Sequence, residues 1–167
     1  VHEISARDYN LKKPIFTINS HDVFAFPVMH GKRMTAFGYL IREKERIRFH
    51  EQKAKSLGIA GPLFSQIQKE GSIKIGKKKI KLEDVTYNQG GKSIAYSGDT
   101  VYSSELVRSC KNVDLLIHDC TFDESKRSLA DEKFHSTASD AAEAAKKCNA
   151  KKLLLFLRSQ AFEEISR

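Results

Sequence analysis

Four places in this chain carry the residue types that hold metals or move protons: His30, Asp99, the His118-Asp119 pair and His135. His30 ends the segment Pro27-Val28-Met29-His30-Gly31, and imidazole is a common zinc ligand where a rigid strand end presents it. Asp99 stands in Gly98-Asp99-Thr100, just past another strand-like run. There the strand fixes position and the loop exposes the carboxylate. His118-Asp119-Cys120-Thr121 follows a third apolar run, so a polar cluster occupies the same kind of strand end, facing the same cleft. His135 precedes a capped helix start, whose dipole favours anions such as phosphate oxygens. That dipole would also depress an imidazole pKa unless a carboxylate opposed it, and Asp119 is the candidate. Each residue has an ordinary alternative too. Asp99 has the context of a turn or N-cap aspartate, and His118-Asp119 that of a pair satisfying buried backbone groups. A lone His30 or His135 fits a surface or core position. His2, His21 and His50 lie in charged or turn-like surroundings without ligand spacing such as H-x-H, and are read as solvated.

The elements that must position these residues follow from local pattern. Two apolar runs, Ile15–Ile18 and Val23–Val28, flank Asn19-Ser20-His21-Asp22 and predict a hairpin. Met34–Ile41 is a third strand candidate. From Lys92 onward the pattern alternates as strand, helix, strand, helix, strand, which predicts an α/β layered arrangement. The strands are Ser93–Ser97, Val113–Ile117 and a buried-type strand at Lys151–Leu157. The helices are Ser103–Cys110, with Leu106 and Val107 inward, and Ser136–Cys148, with Ala138, Ala141, Ala142 and Ala145 on one face. Thr137 and Asp140 have capping-box spacing at the start of the second.

Residues 42–91 differ in character. Arg42, Lys44, Arg46, Arg48, Lys53 and Lys55 precede Gly-Ile-Ala-Gly-Pro at 58–62. A short helical pattern then puts Leu63, Phe64 and Ile67 on one side. Two thin strands, Ser72–Ile75 and Lys78–Leu82, flank Gly76-Lys77 as a tight turn. Six lysines and only Glu70 as an acid lie between Lys69 and Lys81. Large apolar residues are too few here for a separate core, so the segment reads as a protruding basic arm.

The bulk properties set the class. With 167 residues and 40% hydrophobic content the chain suits one soluble domain with a sizeable core. No apolar run approaches the ~20 residues of a membrane span, and Val1–Asn10 lacks a signal-peptide core. The chain opens at Val1, not Met, which fits a piece of a longer protein or a trimmed start. Net charge is +8, favouring a polyanionic partner or simple solubility. Cys110, Cys120 and Cys148 lack CxxC spacing, so they read as small buried side chains in a reducing cytoplasm.

Taken in order, these pieces resemble the ribonuclease Z family, tRNA 3′-processing endonucleases of the metallo-β-lactamase superfamily. The resemblance rests on Phe-Pro-Val-Met-His-Gly (26–31) with Phe37-Gly38-Tyr39, and on Lys-Ala-Lys-Ser-Leu-Gly-Ile-Ala-Gly-Pro-Leu (53–63). It continues through Ala-Tyr-Ser-Gly-Asp-Thr (95–100), Leu-Ile-His-Asp-Cys-Thr-Phe (116–122) and His-Ser-Thr (135–137), covering about Ala25 to Leu155.

The resemblance implies part of an αββα sandwich: residues 1–41 and 92–167 as the C-terminal half of that domain, with 42–91 inserted as an exosite arm. By it, His30 would bind one zinc and Asp99 would bridge two. His135 would act at the scissile phosphate or leaving group, with Asp119 where the family usually has Glu. The arm would clamp the body of precursor tRNA through Lys53, Lys55, Gly61, Pro62, Lys77, Lys78 and Lys79. It further implies a cytoplasmic homodimer in which one subunit's arm serves the other's site.

Two departures stand out. The family's H-x-H-x-D-H zinc motif is absent, so a complete site would need an N-terminal half, covalent or separate. Leu157 stands where the family has a last zinc-binding His, and 157–161 departs from the family more generally. The rival reading is therefore a truncated or degenerate tRNA-binding module that does not cut. A small-molecule hydrolase is disfavoured, because such a substrate needs no basic projection.

Overall fold

The computed structural model describes residue 11, residues 13–32 and residues 36–157. His2, residues 34–35 at the start of the third strand candidate and the stretch 158–161 lie outside them. The chain enters as β1 (Phe16–Ile18), β2 (His21–Val28) and β3 (Ala36–Glu43). Next come β4 (Arg46–Phe49), α1 (Glu51–Ser56), α2 (Pro62–Glu70), β5 (Ser72–Ile75), β6 (Lys78–Lys81), α3 (Leu82–Val85) and β7 (Thr86–Gln89). It returns as β8 (Ser93–Tyr96), α4 (Ser104–Ser109), β9 (Leu115–Asp119), a 3₁₀ turn at Glu124–Lys126, α5 (Arg127–Lys133), α6 (Ala138–Cys148) and β10 (Leu153–Phe156). Residues 45–91 pack as one compact unit and the described residues on either side as another. The sequence reading began the insert at 42, but β3 runs on to Glu43.

The larger unit is a six-stranded sheet in the order β1-β2-β3-β8-β9-β10. The hairpin strands and β8 pair antiparallel, while β8, β9 and β10 run parallel. Cross-strand register aligns Phe24, Leu40, Ala95, Leu116 and Leu153 in one row. That row packs with Leu106 of α4, with Cys110 just past that helix, and with Ala144 and Cys148 of α6 as the core. Each large aliphatic or aromatic side chain fully buried here contributes about 1.5–3 kcal/mol. Gly38 sits opposite Phe26 in the register, and an added Cβ would collide with the Phe26 ring.

Two details differ from the sequence reading. The buried face of α6 is Ala141, Ala144, Cys148 with Ala145 half-buried, while Ala138 and Ala142 are exposed. Cys148 acts as an apolar residue and moves the stripe by one turn. β10 is an edge strand rather than a buried one, with Leu154 50% and Leu155 40% exposed.

The 45–91 unit has its own core, against expectation. Ala54, Ile59, Ile67, Ile73, Ile80 and Val85 are buried, with Phe49, Leu57, Leu63, Phe64, Ile75 and Leu82 packed on them. One or two apolar residues from each short element converge, so no local run announces the cluster. β4 pairs with β7 and β5 with β6, both antiparallel. Among the described residues no helix is long and apolar enough to cross a membrane.

Asp114 clamps the starts of the parallel strands. Its carboxylate accepts from the Ser93 amide at 2.9 Å and from Lys151 Nζ at 2.8 Å. The Lys151 ammonium and then the Ser93 amide hold this carboxyl well below the usual range, outweighing desolvation. A depressed folded pKa stabilises above the unfolded value of ~3.9 and loses that contribution as pH falls. Asp114→Asn should therefore cost about 1 kcal/mol near neutral pH, solvent having screened the ion-pair share. The gap to wild type should narrow below about pH 4. Urea unfolding across that range checks it, and a cost independent of pH would refute the clamp.

Candidate metal centre

The site is assembled from the loops that leave the ends of β2, β8 and β9 and from the start of α6. Beyond β2, Met29 is stitched to the 98–101 loop. Its amide donates to Thr100 Oγ1 at 3.2 Å and its carbonyl accepts from the Val101 amide at 3.0 Å. This pairing sets His30 beside Asp99. Gly98 turns the chain with φ 66°, a conformation strained for any residue with a Cβ.

Asp119, fully buried at the end of β9, joins these loops. Its Oδ2 accepts from His135 Nδ1 at 2.8 Å, the Thr100 amide at 3.2 Å and the Ser136 amide at 3.2 Å. Its Oδ1 accepts from the Thr121 hydroxyl at 2.6 Å. Ser136 Oγ donates to the Thr100 carbonyl at 2.6 Å, and Ser97 Oγ receives the Asp119 amide at 3.0 Å. A buried carboxylate is tolerated only when hydrogen bonds replace its lost hydration, and here four donors do so.

These contacts settle which ring nitrogens face outward. Asp119 acts as an acceptor, so His135 donates through Nδ1 and keeps its lone pair on Nε2. His30 Nδ1 lies 3.0 Å from the Phe134 carbonyl, which can only accept, so its Nε2 is likewise the lone-pair nitrogen. Phe134 adopts a left-handed backbone, φ 58°, at the end of α5. The two imidazoles meet edge to face with centroids 4.9 Å apart. One donor atom from each of His30, Asp99 and His135 lies within 4.8 Å of the others.

Two imidazoles and a carboxylate, each imidazole oriented by an acceptor behind it, suit a divalent metal ion with open coordination positions. The donor set fits such an ion. A cavity of about 390 Å³ adjoins it, lined by His30, Ala36, Phe37, Tyr96, Asp99 and Phe156.

The resemblance assigns His30 and Asp99 to zinc and His135 to the scissile phosphate or leaving group, and the fold brings all three side chains together. It missed the hydroxyls of Ser97, Thr100, Thr121 and Ser136 and the Phe134 carbonyl. The hydroxyl residues flank Asp99, Asp119 and His135 in sequence, which was the available signal. His118 does not join the group. It is fully buried, its Nδ1 lies 2.9 Å from the Asp119 carbonyl and its Nε2 has no hydrogen-bond partner among the described residues. Burial lowers its pKa. Adjacent strand residues face opposite sides, which separates it from Asp119. Lys53, Lys55, Gly61, Pro62, Lys77, Lys78 and Lys79 are all exposed on the 45–91 unit. His21 and His50 are exposed, as expected.

Known proteins resemble this chain in sequence and in fold. A family described as a β-lactamase superfamily domain matches residues 84–156. A ribonuclease Z of Picrophilus torridus is 36% identical over 146 residues, covering 87% of this chain and 47% of its own length. One from Pyrococcus furiosus is 35% identical over 162 residues, covering 95% and 50% respectively. Among solved structures, the short form of human tRNase Z matches with TM-score 0.52 and 26% identity, over 87% of this chain and 40% of that one. The chain thus spans about half the length of the curated relatives it matches.

The Asp119 network makes a direct prediction. Asp119→Asn replaces one acceptor oxygen by an NH₂ that faces donors, orphaning at least one buried group. Unfolding free energy should fall by roughly 2–4 kcal/mol. A loss below about 1 kcal/mol in urea denaturation would show that Asp119 does not organise these loops.

Proposed function

Over most of its length the chain is homologous to ribonuclease Z and has a metallo-β-lactamase-type fold, and we propose that it forms part of a zinc-dependent endoribonuclease. The reaction is removal of 3′ trailers from precursor tRNA by phosphodiester hydrolysis, leaving a 3′-hydroxyl. The observation that carries this reading is the His30, Asp99, His135 group backed by Asp119.

His30 and Asp99 would hold zinc at this site. Bound there, the metal supplies Lewis-acid charge and lowers the pKa of water. His135 would then deliver a proton to the leaving 3′-oxygen. That proton would pass through His135 Nε2, with Asp119 orienting the ring through Nδ1–H. After P–O3′ cleavage the phosphate stays on the trailer and the proton on the tRNA 3′-oxygen. Phe37, Tyr96 and Phe156 line the adjoining cavity beside His30 and Asp99.

His30 and Asp99 alone offer one nitrogen and one carboxylate, fewer ligands than a single zinc needs, so the remaining ligands of a two-zinc centre would come from an N-terminal half. The exposed sheet face supports this. Ile41, Ile94 and Leu154 project from it at 40%, 39% and 50% exposure, and such a patch marks a surface that another layer covers. Homodimer assembly and a cytoplasmic location belong to the same proposal, the latter supported by three buried free thiols.

Unit 45–91 would hold the tRNA body. It carries ten basic and five acidic side chains, hence +5 of the net +8. Such contacts position RNA through phosphates without reading sequence.

The rival is a tRNA-binding module without catalysis. It is favoured by Leu157, 49% exposed after β10 and lacking any metal-binding atom where the resemblance expects His.

Zinc content and precursor tRNA cleavage decide between them, measured on this chain alone and mixed with the complementary half of a ribonuclease Z relative. The enzyme reading expects zinc uptake and cleavage by the mixture, both lost in Asp99→Ala. RNA binding without cleavage in every combination would establish the binding module instead. Replacing Lys77, Lys78 and Lys79 together by Ala should reduce the slope of log affinity against log salt by about 2–3. An unchanged slope would remove those lysines from the interface.

A further inference from the structure

The β4–β7 ribbon carries a second kind of chemistry that phosphate contacts do not use. Its register pairs Arg46 with Gln89 and Arg48 with Tyr87. Cross-strand partners share a face and residues alternate along each strand, so these four side chains lie together. Phe49 takes the opposite face and packs on the small core of its unit. Arg48 donates through Nε to Gln89 Oε1 at 2.8 Å, which holds the guanidinium on the ribbon across from Tyr87.

Tyr87 is 44% exposed, and its ring lies on that of His50 with centroids 4.7 Å apart and planes inclined by 34°. A cavity of about 650 Å³ opens at this pair, lined by Phe49, His50, Glu51, Gln52, Lys53 and Tyr87. That volume falls in the ~300–1,000 Å³ range of small-ligand clefts. The acidic member, Glu51, lies 3.5 Å from Lys55, which offsets its charge.

An exposed ring pair beside two cationic side chains matches the needs of an unpaired nucleotide: a π-surface for the base and positive charge for its phosphate. Base-paired RNA hides its base faces and offers nothing to such a surface. The lysines at 77–79 provide charge without a neighbouring ring, so they suit backbone contacts alone.

We propose that the Tyr87–His50 face of the β4–β7 ribbon binds one unpaired RNA base by stacking, with the attached phosphate held by Arg48 and Lys53. This rests on the RNA-binding reading of unit 45–91 and adds to it a subsite for single-stranded RNA.

The test uses the full chain, a short single-stranded RNA carrying 2-aminopurine and a fully paired RNA duplex. Wild type should quench the 2-aminopurine on binding. Tyr87→Ala should lose the quench and about 10-fold in affinity for the single strand, with duplex affinity unchanged. Tyr87→Phe should keep both, and His50→Ala, at another exposed position, should weaken the quench as an independent check on folding. Single-strand affinity and quench unchanged in Tyr87→Ala would overturn the subsite while leaving the RNA reading intact. An equal loss on single strand and duplex would also overturn it, since no base would then be read. Failure of wild type to bind either RNA would overturn subsite and RNA reading together.

Discussion

The described parts of the candidate site depend on one buried carboxylate. Asp119 has no solvent contact, so every lone pair it presents must be met from within the protein. The donors that meet them come from three separate segments: Thr100 after β8, Thr121 after β9, and His135 with Ser136 before α6. None of these loops has extensive backbone pairing of its own. Their relative positions are set by geometry at Asp119, and the Met29–Thr100 contact extends that order to His30. The interaction that orients the His135 ring is therefore the same one that ties the loops together. Orientation of the His135 ring and local stability are thus coupled at this residue.

The sheet shows the opposite economy. On its helix side the row Phe24, Leu40, Ala95, Leu116, Leu153 is matched by α4 and α6, and packing is dense. On the other side, register aligns Ile41 with Ile94, and Ala25, Tyr39, Tyr96, Ile117 and Leu154 in the next row. These side chains are apolar or aromatic, yet several stand well exposed. A parallel sheet is normally covered on both faces because its strands are apolar on both. The candidate donors sit at the rim of this open face, where Tyr96 and Phe156 line the adjoining cavity. Anything that covers the sheet there would also close over the site.

Legibility in the sequence followed the range of the interaction. The Thr137–Asp140 capping box is contained in four residues and was readable outright. The β5–β6 hairpin around Gly76 was equally local. His30, Asp99 and His135 could be singled out by residue type and loop context, but their convergence spans more than a hundred residues and came only through resemblance to a family. The hydroxyls of Thr100, Thr121 and Ser136 are ordinary loop residues until Asp119 lies next to them. The core of unit 45–91 escaped for a related reason. Ile59 comes from a loop, Ile67 from α2, Ile73 from β5 and Ile80 from β6, so no window shows a periodic stripe. The stripe on α6 was displaced because Cys148 was not counted among its apolar positions.

The proposed division of labour between the units follows from electrostatics. A phosphodiester approaching His30, Asp99 and His135 meets a carboxylate, and without a bound cation that encounter is unfavourable. Affinity for RNA must then be generated elsewhere, and unit 45–91 holds most of the excess positive charge. Its charges stand on short strands and helices anchored by a real, if small, apolar core rather than on a loose loop. Anchoring lowers the entropy lost when each contact forms, so fewer charges are needed for the same affinity. It also places Arg48 and Tyr87 in a defined mutual geometry, which a flexible lysine tract cannot do. A basic segment that only needed charge would require no core. That this one has a core argues that the arrangement of its side chains, and not merely their sign, matters to what it binds.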